Sequence, residues 1–415
     1  MAGEKGGGPK GFAGRFDRHI WVLFVARLIN SFGFSIVMPF ISIYLAMELG
    51  VPTTIIGTLY AVSTGVSAVA QLVGGELSDR LGRKKVLLFS VGLRSLVFVL
   101  MAASVSLAQP SLVTISVLII AGSFLGGLYR PTLDVLVADY VGPEKRAEAY
   151  SLQRIAGNLG FALGPMVGGL AATLSYSILF LVTAACNLVT FFLILAFITE
   201  PKVKRSGQKF RLSDMTSIAR DRPFLAYSMT SLLLFVVSSQ LMVTLSVFSI
   251  KDVGISKIEM GTLFTLNGLM IVVLQYGVTA LFNGVRLTTA LAAGSCIYAF
   301  GYLSVGFASS YYHLLLSMGV ITLGELIAMP SAVTLVANLA PVEQRGRYMG
   351  FFGLSTDTGS SIGPFAGGVL MDQASSNHLI LWGPVCAMGL CASVGYLSLG
   401  RVIGGREKPQ DETGE

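Results

Sequence analysis

The chain is 415 residues long, with 53% of them hydrophobic and only 12% charged, where a soluble domain carries roughly 25% charged residues. At a mean hydropathy of +0.73, this composition excludes an ordinary soluble enzyme, a disordered chain and a nucleic-acid module. The four cysteines (Cys186, Cys296, Cys386, Cys391) all lie in apolar runs, so neither a disulfide framework nor a metal-binding pair is indicated.

Apolar stretches long enough for a hydrocarbon core of ~30 Å, about 20 residues each, recur along the chain. They predict spans at 20–45, 54–77, 86–106, 112–139, 147–172 and 177–199, then at 223–250, 257–281, 287–308, 312–338, 347–371 and 378–402. The expected fold is an all-α membrane protein of twelve transmembrane helices in two six-helix bundles, 20–199 and 223–402. A linker at 200–222 joins them, and tails occupy 1–19 and 403–415. The first span is too long for a signal-peptide core and shows no cleavage site, so it is expected to be retained.

The net charge of +7 is read from its distribution. Of the 29 lysines and arginines, two (Lys251, Lys257) fall in loops on one side and four (Arg27, Arg94, Arg130, Arg154) inside spans. The other 23 fall in the tails, the linker and the loops of the opposite side. Cytoplasmic segments carry the excess of Lys and Arg, so both termini and the linker are expected in the cytoplasm, facing anionic headgroups rather than nucleic acid.

The two halves are related. A shift of 199 residues lays Gly126–Leu170 on Glu325–Val369 without a gap. Pro131 meets Pro330, and Gly160, Gly164-Pro165 and Gly168-Gly169 meet Gly359, Gly363-Pro364 and Gly367-Gly368. Parallel pseudo-symmetric repeats are an architecture of alternating-access carriers.

The loop after the second span reads Gly75-Glu76-Leu77-Ser78-Asp79-Arg80-Leu81-Gly82-Arg83-Lys84-Lys85. Gly75 permits close helix contact, Gly82 a tight turn, and Asp79 can accept bonds from nearby donors. Helix 5 carries Gly157, Gly160, Gly164, Pro165, Gly168 and Gly169, a smooth stripe for close helix packing with a kink at Pro165. The loop pattern resembles the signature loop of the major facilitator superfamily, which implies that fold. In that family the Asp and Arg latch onto an acidic residue at the cytoplasmic end of helix 4, a place held here by Asp139. The helix-5 spacing resembles the antiporter motif of the drug:proton antiporter families. In the second half the corresponding loop, Asn283-Gly284-Val285-Arg286, lacks the Asp, so one strong latch is expected, favouring the outward-facing state.

Soluble-enzyme patterns occur without their context. Gly359-Ser360-Ser361-Ile362-Gly363 matches GxSxG inside a span, and Gly6, Gly8 and Gly11 match a dinucleotide fingerprint in a low-complexity tail. His19, His313 and His378 lie far apart near helix ends. No catalysis, cofactor or metal is expected.

Charges inside spans each cost about 2.5–3.5 kcal/mol on insertion scales and are functional by default. Arg130 and Asp134 stand i,i+4 and can neutralise each other. Arg27, Asn30 and Phe34 share a face of helix 1 and are candidate cavity residues, with Tyr60, Arg154, Gln240, Asn267 and Gln275. Glu325, midway along helix 10, is the leading proton-coupling candidate, with Asp357 and Asp134 in reserve. The segment around Glu325 (Thr322-Leu323-Gly324-Glu325-Leu326) resembles the same helix in multidrug exporters of that family, where the Glu is a proton and substrate site. Where those have an acidic residue early in helix 5, this chain has Gln153 beside Arg154.

The expected function is proton-coupled export of small amphipathic molecules from a multi-pass position in the cell membrane, by a monomer whose partners are substrate, protons and lipid. A carrier of a specific organic anion or sugar, favoured by the arginine excess of the first half, is the alternative; a lipid flippase or a non-transporting receptor stands behind it.

Overall fold

Most of the long helices begin where a short polar side chain can take up their first free N–H groups. Asp17, Ser111, Ser175, Asp221, Ser256, Ser310 and Asn377 all cap in this way. Ser256 and Glu259 form a reciprocal capping box. The computed structural model describes residues 16–142, 145–201, 218, 220–282, 284–341, 344–374 and 377–407. Most of the linker expected at 200–222, and the tails beyond residues 16 and 407, lie outside these residues.

Among the described residues no strand occurs, and twelve helices of 17 residues or more follow one another. The first half holds α1 (Arg18–Ile43, continued by a wider turn at Tyr44–Glu48), α2 (Thr53–Leu81), α3 (Arg83–Val105), α4 (Leu112–Tyr140), α5 (Arg146–Leu174) and α6 (Tyr176–Phe197). The second holds α7 (Arg222–Ser238), α8 (Lys257–Leu281), α9 (Leu287–Val305), α10 (Tyr311–Leu339), α11 (Arg345–Gln373) and α12 (His378–Ile403). Eleven are long and apolar enough to cross a membrane, α7 counting together with its continuation to Lys251. This is a multi-pass membrane protein. The twelfth, α11, has 29 residues but is rich in Gly, Ser and Thr and carries two Arg and two Asp, which leaves it less apolar than the others.

Two expectations need correction. The span expected at 223–250 is broken: α7 ends at Ser238, a tight turn covers Ser239–Leu241, and a short helix resumes at Thr244–Lys251. The break is held by Gln240, whose Nε2 donates to the carbonyls of Val236 (3.1 Å) and Gly363 (2.9 Å). The loop expected after the second span is also shorter than read. α2 runs on through Asp79 and Arg80, and Gly82 alone (φ 105°) turns the chain into α3.

Packing repeats between the halves. α1 lies on α5 and α6, α2 on α4, and α3 on α4 and α6. Likewise α7 lies on α11 and α12, α8 on α10, and α9 on α10 and α12. The halves meet through a crossed pair of contacts, α2 with α11 and α5 with α8.

Candidate functional site

The crossed contacts close the end of the molecule opposite α1's start and α12's finish. There the backbone N–H groups of Thr53 and Thr54, at the free N-terminus of α2, donate to the two carboxylate oxygens of Asp372 at 2.9 and 2.8 Å. A carboxylate from the second half thus caps a helix of the first. Nearby, Lys257 reaches Glu48 at 3.3 Å and stands 4.1 Å from the centre of the Tyr176 ring.

The glycine stripe of α5 serves two faces. A side chain at Gly164 would run into Ser35 Oγ of α1, and at Gly168 into the Ile36 carbonyl, so these glycines admit α1. A Cβ at Gly169 would instead sit 2.6 Å from the Lys257 carbonyl oxygen of α8, so this glycine admits the other half. Gly363 and Gly368 repeat the division on α11, against Ser239 and Thr53 respectively. Gly160 packs on α1, and Pro165 offers its carbonyl to α8 at Gly261.

Behind the closed end lies a cavity of about 450 Å³, walled mainly by α1–α4. Arg27, Asn30, Phe34 and Tyr60 line it, as do Arg94, Arg130 and, from α11, Asp357. The other expected cavity residues are elsewhere. Arg154 is exposed, and Gln240 is the buried pin of the α7 break. Gln275 bonds Thr279 and the Leu326 carbonyl. Gln153 is buried on α5, its amide against Leu23 and Phe24 of α1.

Asn267 instead serves Glu325. Its Nδ2 donates to Glu325 Oε2 at 2.9 Å and to Thr322 Oγ1 at 3.0 Å, and the Thr322 hydroxyl donates onward to the Met318 carbonyl. Among the described residues no cation comes within ion-pair distance of Glu325. Asp134 stands in the field of Arg27 and Arg130, without the direct Arg130–Asp134 pair expected from their spacing. Asp357 faces Arg130 across the cavity.

At the opposite end from Asp372, Arg83 bridges two acids, Asp79 at 3.2 Å and Asp139 at 2.6 Å. All three residues belong to the first half, and they pair while the halves are joined at the far end. Arg80 pairs with Glu76. Gly75 faces open space within 4 Å of its Cβ position.

The sequence profile of the Major Facilitator Superfamily matches residues 23–292 and 286–414. The uncharacterized MFS-type transporter YttB of Bacillus subtilis (strain 168) is 27% identical over 369 residues, 88% of this chain and 91% of the relative. Multidrug resistance protein MdtH of Escherichia coli (strain K12 / DH10B) is 27% identical over 385 residues, 92% and 93% of the two chains. Among solved structures, a peptide transporter POT in complex with sulfate superposes with a TM-score of 0.78 at 16% identity, covering 96% and 97%. The nucleoside transporter NupG does so with 0.77 at 13%, covering 92% and 99%. At such identities the shared property is the fold.

Proposed function

Because the chain belongs to the major facilitator superfamily, whose members are transporters and not enzymes, we propose that it exports small amphipathic molecules across the cell membrane in exchange for protons moving down their gradient. The observation that carries this reading is the setting of Glu325. A carboxylate midway along a membrane helix, served by one amide donor and, among the described residues, no cation within ion-pair distance, is expensive to keep charged. Taking up a proton removes that cost and lets the bundles rearrange around a neutral group. The multidrug resistance name of MdtH supports an exporter of loosely specified cargo.

With the termini in the cytoplasm, the closed end at Asp372 faces outward and the arrangement is the inward-facing one. Substrate enters the cavity from the cytoplasm, the halves rock about the cavity, and Glu325 exchanges its proton between the two sides. Where substrate and proton weaken each other's binding, reciprocity favours their exchange. Asp357 and Asp134 are the reserve coupling groups.

The test is Glu325→Gln in proteoliposomes under an imposed pH gradient. This variant, a permanent mimic of the neutral form, is expected to lose gradient-driven accumulation while keeping substrate binding and downhill exchange. Full uphill transport by the variant moves the coupling site to another carboxylate.

A further inference from the structure

The first-half wall of the cavity holds more hydrogen-bond donors than acceptors. Arg94, on α3, is 7% exposed and lines the cavity. Its guanidinium stands 5.7 Å from the ring centres of both Phe34 and Phe98, within cation–π reach of each. Gly126 makes room for it: a Cβ there would come within 3.3 Å of Arg94 Cζ. No carboxylate pairs with Arg94 among the described residues, and its Nε has no acceptor. Asn30 Nδ2, Ser63 Oγ and Tyr129 Oη, all on residues that are buried and line the same cavity, also have no hydrogen-bond partner among the described residues.

The charge balance sharpens this. Arg27 and Arg130 share the field of Asp134, and Arg130 also faces Asp357. Among the described residues lining the cavity, Arg94 is the cation left over. A buried charge without a partner is retained only where something else supplies the counter-charge. A guanidinium in a cavity that also holds amide and hydroxyl donors matches a planar or tetrahedral oxyanion. The wall also carries apolar side chains, among them Met38, Met101 and Phe161.

We propose that Arg94, together with Asn30, Ser63 and Tyr129 of the same cavity, forms a binding site for the anionic group (carboxylate, sulfonate or phosphate monoester) of an amphipathic substrate. The apolar part of the substrate lies against the Phe and Met side chains of the wall. This rests on the reading of the chain as an exporter and gives its cargo a charge: the preferred substrates are amphipathic anions.

The test uses purified full-length protein in nanodiscs, with fluorescence anisotropy of three matched probes: pyrene-1-sulfonate, 1-pyrenemethanol and 1-pyrenemethylammonium. The sulfonate is expected to bind about tenfold tighter than the alcohol, the worth of one or two charge-assisted bonds, and the ammonium weaker than both. Arg94→Gln should remove that preference and leave the alcohol unchanged, while Arg94→Lys should keep part of it. Gly126→Ala, which crowds the guanidinium, should weaken the sulfonate selectively even if Arg94→Gln fails to fold. A sulfonate no tighter than the alcohol, or a preference that survives Arg94→Gln, overturns the proposal. So does full displacement of the sulfonate by millimolar inorganic phosphate, which would make this a site for small ions. The measurement needs no proton gradient. Sulfonate preference retained in Glu325→Gln, alongside normal uphill transport, would sink the coupling reading and leave this one standing; the converse pattern would do the opposite.

Discussion

Glu200 and Glu407 do the same job at equivalent places in the two halves. Glu200, just past α6, accepts the backbone N–H groups of Arg83 at 2.7 Å and Lys84 at 2.8 Å, which closes the free N-terminus of α3. Glu407, just past α12, accepts the Thr288 hydroxyl at 2.7 Å and its N–H at 3.4 Å, at the start of α9. Each half thus ends by capping its own third helix. The glycine turn belongs to this device, since a Cβ at Gly82 would come within 2.9 Å of the Glu200 carboxylate.

Loss of either cap is expected to cost about 1 kcal/mol, the usual worth of an N-terminal cap. Glu200→Ala and Glu407→Ala should each lower the unfolding midpoint in detergent. Glu407→Ala should cost more, because Glu407 is 8% exposed and Glu200 open to solvent.

The two acids around Arg83 are unequal. The Arg83 side chain is 8% exposed and Asp139 10%, whereas Asp79 is 47% exposed. Removing Asp139 leaves a buried guanidinium without its nearer partner, and such losses run to about 3–5 kcal/mol. An exposed partner is worth about 0–1 kcal/mol. Asp139→Ala should therefore reduce stability or expression sharply and Asp79→Ala slightly, as denaturant titration would show. Equal effects would mean that Arg83 is wetter than its surroundings indicate.

Asp372 should act on populations rather than on folding. Its two bonds to Thr53 and Thr54 exist only while the halves touch at that end, so Asp372→Ala stabilises the alternative arrangement relatively. A severalfold shift toward longer distances is expected between spin labels at Met47 and Asp252. An unchanged distance distribution would mean that the glycine contacts alone hold the end closed.

The same contrast divides the glycine stripe. Gly164→Ala forces α5 away from Ser35 inside one bundle and should lower thermal stability by the 1–3 kcal/mol typical of overpacking. Gly169→Ala meets the Lys257 and Ile258 backbone of the other half. It should open the closed end, read by the same spin labels, with little change in stability.

Much of this architecture is legible in the residues. The 199-residue repeat has its counterpart in matched packing, down to Gly164 against Ser35 and Gly363 against Ser239. Polarity within a span was a poorer guide to the cavity. It marks a group that needs a partner but not which neighbour supplies it, so Gln240 and Gln275 are occupied by backbone carbonyls and Asn267 by Glu325. Arg94 stood out as a costly charge, yet its cavity role depends on the face of α3 it occupies and on the space at Gly126. The cap by Glu200 spans 117 residues in sequence, and no local pattern announces it.

The positions of the two capping glutamates set an order for biosynthesis. Domains form largely as they leave the ribosome, N-terminal first. The first half can close its third helix as soon as residue 200 is made, when half the chain is still to come. The second half waits for Glu407, 119 residues after the Thr288 it must reach. A nascent chain halted at the end of α12 would carry every membrane span and still leave α9 open at its start, a difference that quality-control proteases could read.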